Sequence, residues 1–210
     1  MHPNPAFRKT EKAQNLAFAR DRSFGALSVN ADAGPLIAHV PFQLSEDGTY
    51  LEAHLVRSNP IARVLTEPQK AVFAVSGGDG YISPDWYGVE NQVPTWNYLA
   101  VHLRGALRLL PDDELHGVLE RLSEAMETRL SPKPIWKIDK VSKDALAKMM
   151  RQIVPVAMDV ESVEGTWKLA QNKPDAARLA AGEALDQTGF GLGHQRIAGL
   201  MRLLPNADKP

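Results

Sequence analysis

From Leu36 to Leu44 the chain alternates. Leu36, Ala38, Val40, Phe42 and Leu44 fall on one face, and Ile37, His39 and Pro41 on the other. A period of two is the mark of a strand with one buried face. Glu46-Asp47-Gly48 then supplies a hairpin turn into a further strand, Thr49–Val56, so this pair is antiparallel. A short strand over Phe24–Asn30 precedes it across the turn Asp32-Ala33-Gly34-Pro35. Ala71–Val75 reads as a buried strand ended by a turn at Gly77-Gly78-Asp79-Gly80. Tyr98–Leu110 is the longest strand candidate, with a bend at Gly105, and strands return at Val154–Glu161 and, after a break at Gly165, Thr166–Leu169.

Helical periodicity appears elsewhere. Thr10–Arg20 places Ala13, Leu16 and Ala17 on one side. Asn59-Pro60 opens a short helix, with Asn59 as N-cap and Pro60 at its favoured first position. Asp112–Leu130 aligns Leu115, Val118, Leu119, Leu122 and Met126, and Ser142–Gln152 aligns Leu146, Met149 and Met150. The Ala- and Leu-rich tail after Pro174 predicts two helices separated by Gly189–Gly193. Hairpin-connected strands around a helical insertion favour an antiparallel barrel over a doubly wound sheet. The expected class is α+β and mostly antiparallel β, with a core domain over 1–174 and a C-terminal helical extension, 175–210, packed on it.

Composition narrows the function. The 210 residues carry a net charge of −1, which gives no general attraction to nucleic acid or acidic membranes. There is no cysteine, hence no disulfide, thiolate metal site or cysteine nucleophile. No apolar run approaches the length of a membrane helix, and Met1-His2-Pro3-Asn4-Pro5 lacks an apolar signal core, so a cytoplasmic location is expected. His39, His54 and His102 lie in strands without the close spacing of a metal site, and no metal is expected. Neither a P-loop, a dinucleotide fingerprint nor a Gly-x-Ser-x-Gly elbow occurs.

Three segments can carry chemistry. His54-Leu55-Val56-Arg57-Ser58-Asn59-Pro60 runs from a strand into a helix start, where free N–H groups, Arg57 and Ser58 can take a phosphate; taken in isolation, the segment reads first as a plain capped helix with a surface arginine. Tyr81–Tyr87, with Ser83 and Trp86, and Val93–Tyr98, with Thr95, Trp96 and Asn97, mix planar rings with polar groups. Such a mixture suits an aromatic heterocycle or a subunit interface. Near the end of the core, Lys168 can meet a phosphate or a carbonyl, and the amides of Gln171 and Asn172 can donate and accept; a polar turn at a strand end is the alternative.

In their order these segments resemble the PaiB-like family of FMN-binding negative transcriptional regulators. The resemblance rests on Tyr-Ile-Ser-Pro-x-Trp-Tyr at 81–87, Val-Pro-Thr-Trp-Asn-Tyr at 93–98 and Lys-Leu-x-Gln-Asn-Lys-Pro at 168–174. His39-Val40-Pro41-Phe42 and the 54–60 segment fit as well, so the likeness covers about Phe7 to Pro174. It implies a flavin-reductase-like split β-barrel, a homodimer, and FMN at the interface. The cofactor-binding set it implies is His39, His54, Arg57, Ser58, Asn59, Ser83, Trp86, Thr95, Trp96, Asn97, Lys168, Gln171 and Asn172, with no catalytic residue assigned. DNA enters as a partner only through the family's regulatory description, since the late helix Ala176–Leu185 offers a single arginine. Two alternatives share the fold. One is an oxidoreductase using bound FMN, which needs an open flavin face near His39, Trp96 or Tyr98; the other is a haem-binding barrel with His54 or His102 as axial ligand.

Overall fold

The computed structural model describes residues 1–205; positions 206–210 of the expected extension lie outside the described residues. Six strands close into a barrel in the order β1-β2-β3-β6-β5-β4. They are β1 (Phe24–Val29), β2 (Leu36–Leu44), β3 (Tyr50–Val56), β4 (Gln69–Ile82), β5 (Thr95–Leu109) and β6 (Ile153–Lys168). The helices are α1 (Lys12–Arg22), α2 (Pro60–Val64), α3 (Leu115–Glu127), α4 (Lys143–Met150), α5 (Asp175–Thr188) and α6 (His194–Leu203). Neighbouring strands run antiparallel wherever their register is defined, with Leu27 opposite Ala38, Phe42 opposite Ala53 and Leu55 opposite Val154. The expected class, mostly antiparallel β with peripheral helices, is the one observed.

The chain gathers into two compact units. The barrel unit comprises Leu16–Val75 and His102–Val163; the terminal unit comprises Met1–Asn15, Ser76–Val101 and the described residues from Glu164 onward. In the barrel unit the alternation predicted for β2 holds, with Val40, Phe42 and Leu44 buried. Phe42 meets Phe73 of β4 at a ring distance of 5.2 Å, within a core that also buries Leu27, Leu51, Leu55, Leu103 and Met158. Burial of each such side chain contributes about 1.5–3 kcal/mol.

Three elements differ from the sequence reading. Gly77–Gly80 is not a turn but lies inside β4. There the tail crosses at backbone distance: Asp79 N–H donates to Leu192 O (2.9 Å) and Tyr81 N–H to Phe190 O (3.1 Å). A Cβ on Gly78 would come within 2.8 Å of Leu192 O, so the glycines serve close approach. Gly165 does not break β6, which runs unbroken; a Cβ there would sit 2.1 Å from Asn15 Oδ1, the oxygen that accepts from Trp167 Nε1 at 2.8 Å. The apolar stripe of α4 is not buried, and Met149 is exposed.

Gly105 is the most tightly enclosed position of the barrel unit, since a Cβ would lie 1.9 Å from the backbone oxygen of Asp159. Gly105→Ala must therefore push two paired strands apart and is expected to cost about 2–3 kcal/mol. A urea midpoint equal to that of the parent protein would refute this.

Candidate functional site

In the terminal unit a cleft of about 270 Å³ opens among His2, Phe7, Tyr87, Thr95, Asn97 and Lys168, and is completed by Asn91, Gln92, Val93, Ala170, Asn172 and Lys173. β5 brings Thr95 and Asn97 to it on one face, as the period of two requires. The end of β6 and the turn after it bring Lys168, Asn172 and Lys173. That turn is built by Gln171, whose Oε1 accepts from Leu169 N–H (2.8 Å) and whose Nε2 donates to Trp167 O (2.5 Å). It also holds Ala170 at φ 61°, a left-handed conformation that costs a non-glycine residue on the order of 1 kcal/mol.

The cleft is basic. Among the described residues no carboxylate lines it, while two ammonium groups do. Lys168 Nζ donates to Thr95 Oγ1 and lies 5.9 Å from the Phe7 ring centre. Lys173 Nζ donates to Gln92 Oε1 and lies 5.3 Å from the Tyr87 ring centre. Burial, and then repulsion from Lys173, pull the Lys168 pKa below the usual lysine value. His2 is also pulled down, first by burial and then by Lys168. Two cations sharing one cleft call for an anionic or carbonyl-rich ligand.

Asn97 is the other distinctive group. It is fully buried, its Nδ2 donates to Met201 Sδ of α6 at 3.3 Å, and its Oδ1 has no hydrogen-bond partner among the described residues. A buried acceptor left unmet costs about 1–3 kcal/mol.

The other candidates fall elsewhere. Ser83 and Trp86 flank or enter the short 3-10 helix Pro84–Tyr87 and do not line the cleft. Trp96 points away from Asn97, is 44% exposed, and packs edge-on against Tyr81 and Phe190. In the barrel unit, Arg57 is engaged within the protein: Nε donates to Arg151 O (3.1 Å), and Nη2 to Ile153 O (3.2 Å) and Asp112 Oδ1 (3.3 Å). Ser58 is exposed, and Asn59 caps α2 through Ile61 N–H at 2.9 Å. His39 is exposed on β2, within 6.4 Å of the Phe24 ring centre. His54 is half-buried on β3; burial lowers its pKa, and its Nδ1 has no partner among the described residues. No group of three metal-ligating side chains occurs among the described residues.

Comparison with known proteins gives this geometry a family. Residues 1–162 match the family described as "Putative FMN-binding domain". The chain is also 32% identical over 172 residues to "Protease synthase and sporulation protein PAI 2" of Bacillus subtilis, covering 80% of this chain and 82% of that protein. This chain belongs to the FMN-binding family. Its fold recurs in the FAD and heme binding protein from Mycobacterium smegmatis, with TM-score 0.58, 16% identity, and 89% and 82% of the two chains covered. It recurs again in the flavocytochrome Anf3 from Azotobacter vinelandii, with TM-score 0.57, 14% identity, and 80% and 72% covered.

FMN is thus the cofactor of this PaiB-like chain, and the residues of the cleft fit it. An FMN-binding cleft needs cations for the phosphate or the ring carbonyls and aromatic walls; Lys168 and Lys173, and Phe7 and Tyr87, are groups of those types. Sequence reasoning missed His2, Phe7, Asn91 and Gln92, which no periodicity links to the site. Lys173 stood within the quoted 168–174 segment, and its charge beside Lys168 was the signal that could have found it. Among the described residues no helix is long and apolar enough to cross a membrane.

Proposed function

We propose that the terminal-unit cleft is where this chain holds FMN, with Thr95, Asn97, Lys168, Asn172 and Lys173 as its polar contacts. The observation that carries the reading is the meeting of two ammonium groups with the Phe7 and Tyr87 rings in a cleft that no carboxylate lines among the described residues. Gln171 serves the site by shaping the turn, and Trp96 serves the protein's association. Flavin titration of the purified protein tests the assignment: protein-dependent quenching of FMN fluorescence supports it, and its loss in Asn97→Ala together with Lys168→Ala localises it.

The reading has a pH signature. Because the Lys168 pKa lies below the ordinary lysine value, its charge is lost earlier as pH rises, and FMN affinity should fall earlier too. Lys173→Gln removes the repulsion and should move that fall to higher pH. Identical affinity–pH curves for the variant and the parent would remove Lys168 from the site.

The functional unit in this proposal is a homodimer. Trp96, Phe190, Val93 and Leu192 are all exposed in the terminal unit, a concentration of large apolar side chains that marks association surfaces. Trp96→Ala should shift the protein toward monomer by size-exclusion chromatography with light scattering; a parent-like mass would place the interface elsewhere. A regulatory role, which the family resemblance implies, would be exercised through flavin and dimer state. Direct reading of DNA is not part of this proposal, because Arg178, the arginine of α5, is 1% exposed and turned inward.

A further inference from the structure

The N-terminal arm forms one wall of the cleft, and its own hydrogen bonds fix what that wall presents. Phe7, buried at the end of the short 3-10 helix Pro5–Phe7, anchors it. Asn4 Oδ1 caps that helix by accepting from Ala6 N–H at 2.9 Å, and Phe7 N–H donates to Asn4 O at 3.2 Å. At the other end, His2 N–H donates at 3.1 Å to Oγ1 of Thr166, a fully buried residue of β6 close to Lys168 in the chain. The half-buried His2 ring lines the cleft and stands at 85° to the Phe7 ring, with 4.8 Å between centres.

Within this arm the Asn4 backbone N–H donates to His2 Nδ1 at 3.1 Å. A backbone N–H can only donate, so Nδ1 must offer its lone pair and the ring proton sits on Nε2. A second proton, on Nδ1, would set N–H against N–H and break this bond. Burial and the charge of Lys168 oppose that proton as well. The ring is thus held neutral and in one tautomer. Its Nε2 is not among the atoms closed off from solvent, and nothing among the described residues accepts from it. A fixed donor in a cleft wall, with no acceptor inside the protein, suits a ligand oxygen.

We infer that His2 is a binding residue of this cleft, donating through Nε2–H to an acceptor oxygen of the flavin, on its phosphate or on a ring carbonyl. This inference rests on the FMN reading of the cleft and deepens it. The neighbouring groups ask for the same chemistry, since the ammonium groups of Lys168 and Lys173 are donors too. Those two cations already repel one another. A neutral imidazole adds a hydrogen bond without adding a third positive charge to them.

The test uses the full chain at neutral pH. Long-range proton–nitrogen correlation of the histidine rings, with His2 identified by its absence in His2→Gln, should show flavin-free His2 protonated at Nε2 and bare at Nδ1. Adding FMN should move the Nε2 resonance and leave Nδ1 bare. His2→Phe keeps a flat ring against Phe7 and removes the donor, so it should raise the FMN dissociation constant about five- to tenfold. His2→Gln returns both a donor and an acceptor and should bind within about twofold of the parent. Riboflavin, which lacks the phosphate, separates the two oxygens. A loss in His2→Phe confined to FMN puts the donor on the phosphate, and an equal loss for both flavins puts it on a ring carbonyl. Parent-like FMN affinity in His2→Phe, with His2 nitrogens unmoved by FMN, would overturn the donor role. A proton on Nδ1 in the flavin-free protein would overturn the fixed tautomer on which that role depends. Failure of the parent to bind FMN would instead overturn the FMN reading, and inorganic phosphate would then probe His2 by itself: a moved Nε2 keeps the donor, and an unmoved one removes it. The parent's ring resonances decide the matter even where His2→Phe does not fold.

Discussion

Lys168→Ala is expected to weaken FMN binding by about 1.5–3 kcal/mol, the usual value of a hydrogen bond to a charged group. That corresponds to a dissociation constant raised roughly ten- to a hundredfold. Lys168 donates to Thr95, faces the Phe7 ring and shares the cleft with Lys173, so its ammonium is held in place before any ligand arrives. A held cation spends little entropy on binding, which is why its loss is expected to be felt strongly. The comparison variant is Arg57→Ala. Its guanidinium is occupied by Arg151 O, Ile153 O and Asp112, and its loss should change FMN affinity less than that of Lys168. A flavin titration with the opposite ranking would move the phosphate to the Arg57–Asn59 segment and take the cleft out of the argument.

The second large effect concerns stability. Arg178 is 1% exposed, and its guanidinium joins Asp175 on its own helix to the Met201 carbonyl on α6. Removing one member of a buried ion pair leaves charge and polar groups without their partner, at a cost of about 3–5 kcal/mol. For a chain of this size each kilocalorie lowers the melting temperature by about 2–4 °C. Arg178→Ala should therefore melt roughly 6–20 °C below the parent protein, and Arg178→Lys should recover only part, because an ammonium lacks the planar fork. A change under about 1 kcal/mol in Arg178→Ala would show that the helix pair does not depend on this contact.

These two residues show where the sequence was informative. Lys168 was legible because it sits in an ordered polar segment at a strand end. Arg178 enters the sequence reading only as the single arginine of the late helix, since nothing local distinguishes an exposed arginine from a buried one. The same limit explains Gly77–Gly80 and Gly165. Glycine marks both turns and close backbone approach, and only the neighbour that arrives there distinguishes them: Leu192 in one case, Asn15 in the other.

What the sequence by itself determined is the local part of the answer. The alternation of β2, the Asp-Gly hairpin and the Asn59-Pro60 helix start are written in periods and turn chemistry that act within a few residues. The ordered aromatic segments carried the family and, with it, FMN. Only the tertiary structure decided which of thirteen candidate positions share a cleft, because charge and hydrogen bonding act through space. Lys168 meets Thr95 across 73 positions, and Asn97 meets Met201 across 104. No pattern along the chain encodes a contact at that separation; it follows from the closure of the barrel strands and the docking of the tail, whose burial outweighs any local preference.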